Sequence, residues 1–233
     1  MKDKFGPDSK QKKISDKEIY QEIFDAILSF RLRPGTRLTE ENLSKIFNVG
    51  RTTIRSALLR LSQDHIIEMK PNKGAFIASP SVKQAVDILE ARKLIEVAIV
   101  KDVIKNATQS DFELLKKIVK AEEDNIIHEQ MVEGIQLGGD FHLMLAKISK
   151  NATLERIVTA LVPQTSLVIV LYENPEAPKC SHCEHYELID VMQKGQVQKA
   201  TELMFQHIQG IEARLKLGEK EFTGDLVDIF RQR

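Results

Sequence analysis

Apolar residues recur along this chain at helical spacing, with one short interruption by strand-like segments. Over residues 51–63, Ile54, Ala57, Leu58 and Leu61 share one helix stripe. Before it, Ser15-Asp-Lys-Glu18 forms a capping box opening a helix whose stripe is Ile19, Ile23, Ala26, Ile27 and Phe30, ending before Pro34-Gly35. Arg33–Leu38 reads as a turn followed by a short extended piece. Thr39 can cap a short amphipathic helix over 40–47, which the turn Asn48-Val-Gly50 separates from the helix at 51–63. Residues 65–70 and 75–78 read as two strands joined by the turn Pro71-Asn-Lys-Gly74.

From Ser81-Val-Lys-Gln84, a second capping pattern, the spacing predicts helices over 82–106, 111–128, 130–150, 153–172, 181–194 and 196–217. Ser110-Asp-Phe-Glu113 is expected to cap the second, Pro163 to kink the fourth, and Gly195 to separate the last two. Asn174–Pro178 is expected to be a loop. The expected fold is mainly α: a helix-turn-helix with a β-hairpin wing over 15–79, then an all-α antiparallel bundle over 80–217. Residues 1–14 read as a disordered arm, and the tail 218–233 fits either a docked short helix or a frayed end.

Composition adds three constraints. There is no tryptophan and little other aromatic content, which favours helices over a β-sandwich. No apolar run approaches the ~18 residues of a membrane span and no signal core is present, so a cytoplasmic protein without membrane contact is expected. There Cys180 and Cys183 are not expected to form a structural disulfide. The formal net charge is zero, yet it divides: residues 1–80 carry 15 Lys/Arg against 10 Asp/Glu, and residues 81–233 carry 19 against 24. The basic half is the helix-turn-helix half, as phosphate neutralisation requires.

Candidate chemistry lies in both halves. Arg51, Thr52, Thr53 and Arg55 crowd the first turn of their helix off the apolar stripe, where guanidiniums and hydroxyls suit phosphates and base edges. Lys73 and Gly74 at the hairpin tip can approach a phosphate backbone. The same residues also fit an ordinary surface hairpin with solvated arginines. In the bundle, His142, His185 and His207 fall on three different predicted helices and could converge on a divalent ion, or be three unrelated histidines.

Residues 15–78, and Val49-Gly-Arg-Thr-Thr-Ile-Arg-Ser-Ala-Leu58 above all, resemble the winged helix-turn-helix of the GntR family of bacterial transcription regulators. The segments LEARKLIEVAIV, DFHLMLAKISKN, CEHYELIDVMQKG and LMFQHI resemble the FCD ligand-binding domain of its FadR subfamily over about residues 82–215. The resemblance implies a bundle that binds a small organic acid, often beside a metal held by one Asp and three His. The histidines carry over to His142, His185 and His207. The family's Asp position is Gly138, so a Zn- or Ni-type ion is expected to bind weakly unless Gly138-Gly139 distorts the helix enough to bring Asp140 in. Arg92, in an Arg-x-x-x-Glu pattern with Glu96, and Asn151 match effector-site positions; a surface ion pair and a helix cap are their plainer readings. Glu41 stands where the family often carries a DNA-contacting Arg.

The expected function is therefore a homodimeric regulator, not an enzyme, that reads a double-stranded DNA operator under the control of a small organic acid effector. Two alternatives stand beside it: a dimeric DNA-binding protein with no ligand, and a helical metal-dependent hydrolase. The second lacks a paired-carboxylate or His-Glu-x-x-His constellation and leaves the N-terminal half unexplained.

Overall fold

The computed structural model describes residues 14–174 and 181–216. The arm at 1–13, most of the Asn174–Pro178 loop and the 218–233 tail lie outside them, as does Cys180. Among the described residues the chain is mainly helical. The N-terminal unit runs α1 (Asp16–Leu28), β1 (Arg37–Leu38), α2 (Glu40–Phe47), α3 (Arg51–Gln63), β2 (Ile67–Lys70) and β3 (Gly74–Ile77). The helical unit follows with α4 (Val82–Asn106), α5 (Gln109–Ile127), α6 (Met131–Ile148), α7 (Ala152–Tyr172), α8 (Ser181–Gln193) and α9 (Val197–Ala213).

The local signals act as read. Ser15 and Ser81 each close a capping box, with Glu18 and Gln84, and Thr39 caps α2. The α3 stripe Ile54, Ala57, Leu58 and Leu61 is buried against α1. Tyr20 of α1 donates to Asp64 at 2.7 Å, and Arg60 lies 4.8 Å over its ring, fixing α1 on α3. The wing is an antiparallel sheet in the order β1-β3-β2, with Arg37 opposite Phe76 and Met69 opposite Ala75. Asn72 and Gly74 take positive φ at its turn, +58° and +95°.

Five expectations need correction. Phe30 is not on the buried face: α1 stops at Leu28, and Phe30 sits in a left-handed turn, 42 % exposed. The cap of α5 is Thr108 with Asp111, not Ser110. The last helix ends at Ala213, because Leu215 leaves to bridge Glu173. Cys183 is disulfide-bonded, against the expectation from a reducing compartment. Helix α7 is long and apolar enough to cross a membrane by composition. It packs instead against α4 and α6, burying Val158, Val162, Leu167, Val168 and Leu171.

The hydrophobic interior of the N-terminal unit does not end at its boundary. Leu167, Val168, Leu171 and Tyr172 of α7 belong to it, and Val132 and Ile135 of α6 pack on it. Tyr172 donates to the carbonyl of Pro80 at 2.6 Å, and Gln136 of α6 donates to Asp25 of α1. A second core fills the bundle around Phe141, Leu145, Leu188, Ile189 and Met204.

Candidate nucleic-acid interface and candidate metal centre

Burying its stripe leaves α3 with its polar first turn outward. Arg51, Thr52 and Arg55 are exposed and Thr53 is half-buried; Lys73 and Gly74 at the wing tip are exposed as well. Helix α3 begins at Gly50, whose lack of a side-chain cap leaves the first-turn N–H groups open to an anion. Arg51 makes no hydrogen bond or ion pair among the described residues. Arg55 does: its Nε donates to both oxygens of Glu40, at 2.8 and 2.9 Å. Glu41 pairs with Lys45 at 2.7 Å, and the lysine holds its carboxyl below the usual range.

The structure adds two residues here that sequence reading missed. Arg37 of β1 reaches the wing, its Nε 3.8 Å from where a Cβ on Gly74 would stand. Glu40 restrains Arg55 across fifteen residues of sequence. Neither has a local signature; strand pairing and helix packing create both.

In the bundle, α6, α8 and α9 bring His142, His185 and His207 together, each buried, with ligand atoms all within 4.8 Å of one another. Every Nδ1 faces a carboxylate: His142 to Glu96 at 2.5 Å, His185 to Glu122 at 2.7 Å and His207 to Glu184 at 2.6 Å. Each Nδ1 is therefore the donor and each Nε2 presents a lone pair. Those lone pairs converge: Nε2 of His207 lies 3.2 Å from that of His142 and 3.3 Å from that of His185. Burial disfavours charge on two of the rings, pushing His142 down to about 4 against the pull of Glu96, and His207 down to about 3 against the pull of Glu184. Three imidazoles, each held at Nδ1 by a carboxylate and converging at Nε2, fit a divalent cation.

The cavity beside them has a volume of about 90 Å³ and is lined by Arg92, Glu122, Ile135, Thr165, Ser166 and Arg214 among others. Arg92 is 2 % exposed, so the surface-pair reading fails. Its Nε donates to Glu96 at 2.5 Å, while its Nη2 is buried with no partner. Burial alone would raise the Glu96 carboxyl; Arg92 and His142 outweigh it and hold it far below the usual range.

Two expected site residues are elsewhere. Asn151 caps α7, its Oδ1 accepting from Leu154 N at 3.3 Å, and does not line the cavity. Asp140 is exposed and outside the histidine cluster, because α6 stays helical through Gly138 and Gly139. Those glycines serve close packing: a Cβ on Gly139 would stand 3.0 Å from Val162 Cγ1, and one on Gly138 3.2 Å from Glu122 Oε1.

Comparison with known proteins matches residues 15–77 to the gntR family of bacterial regulatory proteins and residues 87–210 to the FCD domain. The chain is 23 % identical over 202 residues to the transcriptional repressor RspR of Escherichia coli K12, covering 86 % of this chain and 89 % of that protein. It is 25 % identical over 195 residues to the Uxu operon regulator of Haemophilus influenzae, covering 76 % and 72 %. The fold matches that of E. coli McbR/YncC with a TM-score of 0.73 at 18 % identity, over 85 % of this chain and 95 % of that one.

Proposed function

The chain belongs to the gntR family of bacterial regulatory proteins and carries an FCD domain, and from that premise we propose a FadR-type regulator whose operator binding is set by a small organic acid held beside a divalent metal. It is a DNA-binding transcriptional regulator, not an enzyme. The observation that carries the effector reading is the unpartnered, buried Nη2 of Arg92, a residue that lines the cavity together with the three histidines. A buried guanidinium edge without a partner is an unmet demand for an anion, and a carboxylate meets it with charge-assisted hydrogen bonds.

Nε2 of His142, His185 and His207 would hold a Zn²⁺- or Ni²⁺-type ion, which supplies positive charge and open positions for a carboxylate oxygen. Asp140 takes no part in this reading. The cavity of about 90 Å³ admits roughly six to nine water-sized groups at about 10–15 Å³ each, the size of a short mono- or dicarboxylate. Helix α6 faces the cavity with Gly134, Gly138 and Gly139, and faces the N-terminal unit with Val132 and Gln136. An acid that shifts α6 therefore bears on α1, and through α1 on α3.

On DNA, Arg51, Thr52, Thr53 and Arg55 enter the major groove while Lys73, Gly74 and Arg37 follow the backbone. One such unit covers only a few base pairs, so the protein acts as a homodimer on a near-palindrome, in the cytoplasm. Support for the dimer comes from two exposed apolar side chains of the bundle, Leu94 of α4 at 77 % and Phe205 of α9 at 42 %.

The test is a melting-temperature screen of short mono- and dicarboxylates with and without Zn²⁺, followed by gel shifts on an operator fragment. Acids that raise the melting temperature only when metal is present, and that also change operator affinity, are expected. No shift with any acid leaves a DNA-binding dimer without an effector.

A further inference from the structure

The three carboxylates behind the histidines are not equivalent. Glu96 has Arg92 as its counter-charge, and Glu184 is 43 % exposed to water. Glu122 has neither: its side chain is 1 % exposed, and its partners are Ser181 Oγ on Oε1 at 2.6 Å and His185 Nδ1 on Oε2 at 2.7 Å. No Lys or Arg pairs with it among the described residues. A carboxylate buried with no Lys or Arg beside it is costly unless another positive charge lies close by. A place for one lies across the His185 ring, where its Nε2 meets that of His207 at 3.3 Å.

Gly138 occupies the same spot from the opposite helix. A Cβ there would stand 3.2 Å from Glu122 Oε1, 3.7 Å from its Cδ and 3.8 Å from His185 Cε1. The other two glycines of α6 are different, since their nearest neighbours would be aliphatic carbons, Ile126 Cγ1 at 2.9 Å and Val162 Cγ1 at 3.0 Å. Gly138 alone makes room for a charge.

We propose that Glu122 is the positioning carboxylate that balances the cation of the histidine centre through His185, and that glycine at 138 is what admits it. This rests on the metal reading above. The acid that a helix α6 residue would otherwise bring to the centre comes from α5, one shell further out. Glu122 thus costs stability when the centre is empty and returns it when a cation is bound.

The experiment uses the full-length protein stripped of metal, then titrated with Zn²⁺ by calorimetry, with melting temperatures of the stripped and loaded forms. Glu122→Gln keeps the shape and removes the charge. Its expected effect is a Zn²⁺ affinity about 10–100-fold weaker, the usual cost of losing an outer-shell partner. The stripped variant should melt at or above the stripped wild type, and the loaded variant below the loaded wild type. A carboxylate with a merely structural role would lower both melting temperatures alike, and that result overturns the proposal. Gly138→Ala should weaken Zn²⁺ in the same direction by crowding Glu122, and should add little on top of Glu122→Gln; full additivity overturns the glycine's part. A wild type that binds no Zn²⁺ overturns the metal reading and this inference with it. A wild type that binds Zn²⁺ beside a Glu122→Gln variant of unchanged affinity overturns the inference alone.

Discussion

Helix α3 and the histidine centre use polar residues in opposite ways. On α3 the working groups stand within five positions of one helix, mostly exposed, with few partners: Arg51 has no hydrogen bond or ion pair among the described residues, and Arg55 has only Glu40. At the centre the working groups come from α4, α5, α6, α8 and α9, nearly all buried, and each is held by another. A surface reader can lose a residue and keep its shape. A buried network cannot, since each group left behind is an unpaired charge or donor.

The largest expected effect follows from that contrast. Arg92→Ala strands Glu96 in the core and should cost about 3–5 kcal/mol of folding stability. The double variant Arg92→Ala/Glu96→Ala should lose clearly less than the two single losses combined, measured by denaturant unfolding. Additive losses would mean that the centre is no more coupled than the surface.

Acid should weaken the buried centre. His142 is neutral in the fold, with its pKa pushed down to about 4 from 6.5. The unfolded chain takes up a proton below 6.5 and the folded chain does not until about 4. Stability from this group is thus fully present above 6.5 and is lost as pH falls from 6.5 towards 4, by up to about 1.4 kcal/mol per pH unit. Thermal melts of metal-stripped protein across that window read the slope, and a flat profile would contradict the burial of a neutral imidazole.

The same contrast governs what the sequence discloses. The α3 stripe, the caps at Ser15, Thr39 and Ser81, and the wing turn are local patterns of a few residues, and each forms where the spacing puts it. The cap of α5 was misplaced because Thr108-Gln-Ser-Asp111 and Ser110-Asp-Phe-Glu113 are overlapping boxes of the same kind, and spacing alone cannot rank them. His142, His185 and His207 could be singled out as histidines on three different helices, but whether they meet depends on how the helices pack. Glu122, 63 residues before His185, carries no local signal, and its part shows only in the space left by Gly138. Asn151 shows the reverse: matching a position in a pattern does not put a side chain in the cavity.

On the surface side, Arg51→Ala should cost about 1–3 kcal/mol in specific operator binding if it reads a base. Arg55→Ala should cost less, because Arg55 must first leave Glu40, and the two losses should add to within a few tenths of a kcal/mol if the sites are independent. Gel shifts on an operator fragment measure both; unchanged affinity in both variants would remove α3 as the reading helix. The smallest effect is that of Glu40→Ala, which frees Arg55 and should strengthen operator binding by no more than about 1 kcal/mol, most visibly at low salt. Weaker binding would mean that Glu40 positions Arg55 for its contact.

The central claim is that these two unlike regions are coupled, and one measurement bears on it most directly. Operator affinity of the wild type and of His185→Ala is measured with Zn²⁺ present, with and without the short carboxylate that most raises the wild-type melting temperature. The account predicts a wild-type change of about 5–150-fold, the span of ordinary allosteric coupling, and no acid-dependent change in His185→Ala. An acid that binds the wild type tightly and leaves operator affinity untouched would contradict it.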